Sequence, residues 1–177
     1  MTPAPAAALA AAAAAPVTLV LGAADTGKST LVTRLAAALA GQGHTVGVVD
    51  ADLGQKDIGP PTTIALGRVR RPLERLAEAE VIGLEFLGVT SPATCMRETA
   101  EATARLVSRA LDEGCDRVLV DTSGLVQGDL GRAVKRVKID RVKPDLIIAL
   151  QRADECEPIL RAYPQPPPAV LRLPAAA

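Results

Sequence analysis

The sequence predicts an α/β fold in which a mostly parallel sheet carries helices on both faces, and three observations point to it. Short apolar runs rich in β-branched residues alternate with helix-like stretches, at a spacing that suits strand–helix units. Gly22-Ala23-Ala24-Asp25-Thr26-Gly27-Lys28-Ser29-Thr30 fits the phosphate-binding pattern G-x-x-x-x-G-K-[ST] without a mismatch, directly after one such run and directly before a helical stretch. Acids stand at the ends of two other runs, at Asp50 and Asp52 and at Asp121, where open α/β sheets place their ligands. Together these describe the P-loop NTPase arrangement, with a sheet of about five or six strands.

The chain has 177 residues, 49% of them apolar, enough for one substantial core and too little for two, so a single domain is expected over 16–177. Formal net charge is zero and the pI is about 6.6, so no global field draws the chain to nucleic acid or to a membrane; such contact needs a local patch. No unbroken apolar tract is long enough to span a bilayer, and no membrane partner is expected. Cys95, Cys115 and Cys156 are widely spaced with no C-x-x-C, the usage of reduced cytoplasmic thiols. Residues 1–15 are almost wholly Ala and Pro, without the charged start of a signal peptide. A loose tail is expected there, since an alanine helix would offer no second face to pack.

Val17 to Leu21 is the first buried strand, and Leu31 to Ala40 the helix after the loop, ending at Gly41 and Gly43. Gly22 and Gly27 let the backbone curl so that the loop amides, through Ala23, Ala24 and Thr26, point at phosphates, with the helix dipole behind them. Lys28 is placed to reach the β- and γ-phosphates, and Ser29 to ligate Mg²⁺. Thr30 reads as a helix residue. Asp25 is the odd member: a carboxylate beside phosphates must face away from them or pair with a cation.

Thr45 to Asp50 is a second strand, after His44 in a surface turn, and it runs into Ala51-Asp52-Leu53-Gly54-Gln55 and a Gly- and Pro-rich loop. Alternation along an extended chain puts Asp50 and Asp52 on one side at the ligand end of the strand. Thr63 to Leu66 is expected to be extended, Pro72 to Ala79 a short helix, Leu84 to Gly88 a strand, and Ala93 to Glu113 a long amphipathic helix burying Thr99, Ala102, Leu106, Val107 and Ala110. Arg117 to Asp121 is a strand ending in an acid suited to the metal, followed by Thr122-Ser123-Gly124 and a flexible loop to Gly131. Arg132, Lys135, Arg136, Lys138, Arg141 and Lys143 form the one dense basic stretch, readable equally as a solvated helix face or a phosphate-backbone contact. Asp145 to Leu150 is a further strand, Asp154 to Ala162 a short helix, and a Pro-rich spacer leads to Ala169 to Leu173.

Taken together, the loop with its Asp25, Asp50-Ala51-Asp52-Leu53-Gly54-Gln55 with Gly59-Pro60-Pro61-Thr62-Thr63, Gly88-Val89-Thr90-Ser91-Pro92, Val120-Asp121-Thr122-Ser123-Gly124 and Val142-Lys143-Pro144-Asp145 resemble the polynucleotide 5′-hydroxyl kinase family. The resemblance covers most of residues 17–173 and makes 16–177 a P-loop kinase-like domain. It implies ATP with Mg²⁺ as ligand and a polynucleotide 5′ end, RNA or DNA, as acceptor. It further implies Asp52 as the catalytic and metal-side carboxylate, Gln55 beside it, Lys28 on the transferred phosphate, and Thr122 and Gly124 as the substrate clasp. Leu125 stands where the family carries tryptophan. The family's arginine-bearing lid and flanking β-domains do not appear, so slow transfer is expected unless Arg152, Arg161 or a protein partner supplies the missing elements.

Three classes stay open: the kinase, a nucleotide-dependent switch or assembly ATPase, and a binding module without catalysis. No second lysine stands at Ala23 or Ala24, as dimerising ATPases have, and no guanine-reading N-K-x-D follows Leu150, which favours ATP over GTP. Phe86 and Tyr163 are the only aromatic residues, so a base-stacking platform is not expected.

Overall fold

A computed structural model describes residues 4–175. Its core is one seven-stranded sheet in the order β4-β3-β2-β5-β1-β6-β7. The strands are β1 (Val17–Gly22), β2 (Val46–Ala51), β3 (Thr63–Val69), β4 (Glu80–Phe86), β5 (Arg117–Thr122), β6 (Leu146–Gln151) and β7 (Ala169–Pro174). Five of them, β2, β5, β1, β6 and β7, run parallel. Every residue of β1, β2 and of the apolar part of β5 and β6 is buried, as the unbroken apolar runs require of strands covered on both faces.

The helices are α1 (Ala6–Ala14), α2 (Lys28–Gly41), α3 (Met96–Asp112), α4 (Gly128–Val142) and α5 (Glu157–Leu160). The side chains of α1 and α2 join one core on one face of the sheet, and those of α3, α4 and α5 another on the opposite face. α3 buries Thr99, Ala102, Leu106, Val107 and Ala110, the stripe read from its period. Gly47 on β2 lets it sit close: a Cβ there would lie 2.9 Å from Cβ of Ala110.

The fold departs from expectation in five places. The sheet has two more strands than its five parallel ones, because β3 and β4 are antiparallel additions beyond β2. The segment 52–62 holds no helix, and without a crossover the chain can return only alongside β2 in reverse. The expected helix over Pro72–Ala79 is only a single 3₁₀ turn, Leu76–Glu78, and β4 starts at Glu80 rather than at Leu84. The expected flexible stretch up to Gly131 is already helical from Gly128. The expected loose tail is the helix α1, with Ala8 and Ala12 fully buried against α2 and β6. Alanine's small size lets this helix approach its neighbours closely, and Arg117 Nε caps its end by donating to Ala13 O at 2.6 Å. Residues 1–3 of that tail, like 176–177, lie outside the described residues.

Candidate active site

The C-terminal ends of β1, β2 and β5 surround an open, polar cavity of about 310 Å³. The loop after β1 contributes Ala24, Asp25, Gly27, Lys28, Ser29 and Thr30; the loop after β2 adds Asp52, Gln55, Lys56 and Asp57; Thr122 and Gly124 close the third side. Sequence reasoning names all of these except Lys56 and Asp57.

The phosphate loop is shaped by its own residues. A Cβ on Gly22 would lie 2.6 Å from Leu150 O and 2.7 Å from Thr26 Oγ1, so only glycine fits there. Asp25 and Gly27 take left-handed backbone conformations, φ 57° and 87°, which turn the chain into the start of α2. Thr26 is buried and its hydroxyl donates to Ala23 O at 2.9 Å. Lys28 Nζ donates to the same carbonyl at 2.7 Å. Burial holds the Lys28 pKa below its ordinary value, while Asp121, Asp52 and Asp25 pull it back up. Asp25 itself lines the cavity. Arg152 docks on the loop through backbone carbonyls, 2.6 Å to Asp25 O and 3.4 Å to Ala24 O. Arg161 lines a separate cleft with Tyr163 and the proline segment.

At the end of β2 the two acids part company. Asp52 lines the cavity, where its Oδ1 accepts from Gly54 N at 3.0 Å and Gln55 N at 3.2 Å. Asp50, expected on the same side, is instead buried beneath the loop. It accepts from the amides of Asp52 (3.2 Å), Asp57 (2.8 Å) and Ile58 (2.9 Å) and pairs with Lys56 Nζ at 3.0 Å. One buried carboxylate therefore satisfies donors along the loop after β2. Ile58, 1% exposed, pins its far side into the core.

At the end of β5, Asp121 is buried and stands beside Asp50 and Val20 in the sheet register. Burial raises its pKa to about 6, against the Ser29 hydroxyl and Lys28 and with the help of Asp50. Its Oδ1 has no hydrogen-bond partner among the described residues. A buried, unpartnered carboxylate oxygen beside Ser29 is the environment a cation relieves, so Ser29, Asp121 and Asp52 fit a magnesium ion shared with phosphates and water. No group of three or more His, Cys, Asp or Glu able to cage a metal alone occurs among the described residues. Thr122 lines the cavity, but its hydroxyl donates to Val20 O at 2.8 Å, so it fastens β5 to β1. Gly124 lies directly on the phosphate loop: a Cβ there would come within 2.5 Å of Ala24 N.

The basic stretch of α4 is split: two of its six cations point into the core, while Arg136, Arg141 and Lys143 stay exposed. Lys135 and Lys138 are buried, Arg136 bonds Pro158 O at 2.6 Å, Arg132 pairs with Asp129 at 3.4 Å and Arg141 with Glu101 at 3.9 Å. The signal for the two buried lysines was present. Val134, Lys138 and Val142 recur at i+4, as do Gly131, Lys135 and Ile139, so both lysines occupy apolar positions of the repeat.

Fold and site together define a P-loop NTPase domain. The chain belongs to the CLP1 P-loop family: residues 22–177 match the model described as mRNA cleavage and polyadenylation factor CLP1 P-loop. A polyribonucleotide 5′-hydroxyl-kinase of Pyrococcus furiosus is 41% identical over 82% of this chain and 40% of its own length, and one of Methanocaldococcus jannaschii is 40% identical over the same shares. The chain thus spans about two fifths of these relatives. The kinase Clp1 of Xenopus tropicalis is 28% identical over 84% of this chain and 36% of its own. Among solved structures, a Clp1p–Pcf11p complex superposes with a TM-score of 0.72 at 14% identity, over 90% of this chain and 43% of that one. The 54 kDa signal recognition particle protein of Aeropyrum pernix superposes with 0.52 at 23% identity, over 88% and 34%. Both likenesses concern the fold.

Proposed function

We propose that this chain carries the phosphoryl-transfer site of a polyribonucleotide 5′-hydroxyl kinase that uses ATP. The observation that carries the reading is the meeting of Asp52 with the phosphate loop in one cavity. One oxygen of Asp52 is anchored by two backbone amides, and its Oδ2 receives no hydrogen bond from the described residues.

The loop amides and the N-terminus of α2 receive the β- and γ-phosphates, and Lys28 exchanges the Ala23 carbonyl for them. Asp52 accepts the proton of the attacking 5′-hydroxyl as its oxygen bonds to the γ-phosphorus. The bond from that phosphorus to the bridging oxygen breaks, ADP leaves, and the proton passes from Asp52 to solvent. Magnesium, held through Ser29, Asp121 and Asp52, would supply positive charge across the phosphates. Gln55 and the Thr122–Gly124 turn border the acceptor side. Arg152 is the arginine already at the loop.

The names of the archaeal relatives support RNA as acceptor, and the Clp1p–Pcf11p complex supports a protein partner. Three free cysteines suit a reducing, cytoplasmic setting. Among the described residues no helix is long and apolar enough to cross a membrane.

Incubation with γ-labelled ATP, Mg²⁺ and 5′-hydroxyl RNA and DNA oligonucleotides tests the reading, with label expected in RNA. Label found only in free phosphate would replace the kinase with an ATPase, and no turnover at all would leave a binding module.

A further inference from the structure

Two lysines of α4 have no part in the reaction above and sit where lysine is costly. Lys135 and Lys138 are each 1% exposed, one turn apart on the face that carries Val134, Ile139 and Val142 into the core. Lys135 Nζ donates to the Ser123 carbonyl and lies 3.3 Å from Ser123 Oγ; Lys138 Nζ donates to the Ala51 carbonyl at 3.3 Å. Their described acceptors are thus two carbonyls and a hydroxyl, with no carboxylate among them. Burial pushes the Lys138 ammonium down to about 8, against Asp52, and holds Lys135 well below its ordinary value. An apolar side chain of similar length would fill either position without burying a charge, so packing does not account for the pair.

Their targets do. Ser123 stands between Thr122 and Gly124, and Ala51 between Asp50 and Asp52. Both carbonyls belong to residues that directly precede cavity-lining ones, Gly124 and Asp52, and neither lies in the phosphate loop. The geometry points to Lys135 and Lys138 as positioning residues. α4 is a bracket that holds the end of β5 with one ammonium and the end of β2 with the next, so that Asp52 and the Thr122–Gly124 turn face one acceptor. The catalytic consequence rests on the kinase reading; the bracketing itself does not.

Lys135→Met and Lys138→Met, made in the full chain, test this with four measurements. The melting temperature is expected to hold or rise, since a buried charge is removed. Affinity for ATP-Mg²⁺ by calorimetry should stay within about threefold, because the phosphate loop keeps its own contacts. Single-turnover transfer to 5′-hydroxyl RNA should fall by about 10- to 100-fold, through both the KM for RNA and the saturating rate, with the KM for ATP unchanged. Amide exchange should quicken about tenfold over 50–58 and 122–127 and not over 22–30. Transfer and exchange both within about twofold of wild type would overturn the proposal, as would a loss of transfer that merely tracks the melting temperature. Should a methionine variant fail to fold, Lys135→Gln and Lys138→Gln keep a donor in place of the charge and are read the same way. If wild type labels no oligonucleotide, the kinase reading fails and exchange alone decides: quickening confined to the two segments upholds the bracket, and uniform or absent quickening removes it.

Discussion

On the proposed reading, single residues divide the site into a phosphate half and an acceptor half, and substitutions separate them. Lys28→Ala removes the cation that the loop holds ready against Ala23 O, and calorimetry should find ATP binding lost. Asp52→Asn keeps the amide-anchored shape but loses the proton acceptor. ATP affinity should hold within a few-fold while single-turnover transfer falls about 10²-fold or more. Asp121→Asn should instead change the Mg²⁺ dependence, because its orphaned oxygen serves charge before chemistry. Wild-type transfer by Asp52→Asn would reduce that residue to a loop anchor. Gly124→Ala probes the seam between the halves: its methyl would meet backbone atoms of Ala24, which cannot swing aside. Strain of about 1–3 kcal/mol is expected there, and taken from ATP binding it weakens affinity by roughly 5- to 150-fold. The turn of the phosphate loop was legible, since its pattern alone calls for glycine at Gly22 and Gly27, where only glycine fits or the backbone is left-handed. Asp50 and Asp52 were not separable, because which carboxylate turns under the loop depends on Lys56 and on where Ile58 finds its core.

At the scale of elements, period was informative wherever a segment packs through large side chains, as in α2 and α3 and the five parallel strands. It failed for α1, whose partners accept it because its side chains are small. Ala12→Leu should therefore cost about 1–3 kcal/mol and lower the melting temperature by roughly 2–10 °C in a domain of this size. Ala10→Leu, on the exposed side, is the control and should change little. Equal melting of both variants would return the segment to a tail. It failed also for α4, where charge was read as exposure although Lys135 and Lys138 hold apolar positions of the repeat. The edge strand β7 is fastened differently. Arg172 grips Glu157 through both carboxylate oxygens, at 2.7 and 3.0 Å, and Gln151 donates to the same group at 2.9 Å. These bonds draw the Glu157 pKa down to about 2. A depressed carboxylate stabilises the fold above its unfolded pKa of about 4.3 and ceases to do so as pH falls through the folded value. Wild type should thus melt above Glu157→Gln at pH 7, with the gap closing between about pH 4.3 and 2. A gap independent of pH would mean that Arg172 does not hold the carboxylate.

For the whole molecule, alternation of strands and helices announced the parallel core. The antiparallel pair β3–β4 was hidden, because strand direction is set by what connects two strands and not by either strand's residues. That pair has a consequence for how such a site diversifies. The last paired residues of β2 and β3 are Asp50 and Ala65, direct neighbours, so the segment between them is clamped at its base about 5 Å across. The segment is a cassette with both clips on the scaffold. Insertions at its exposed tip, Pro60 and Pro61, can lengthen what stands beside the cavity, while the stretch 52–58, held by Asp50 and Asp52, keeps its place.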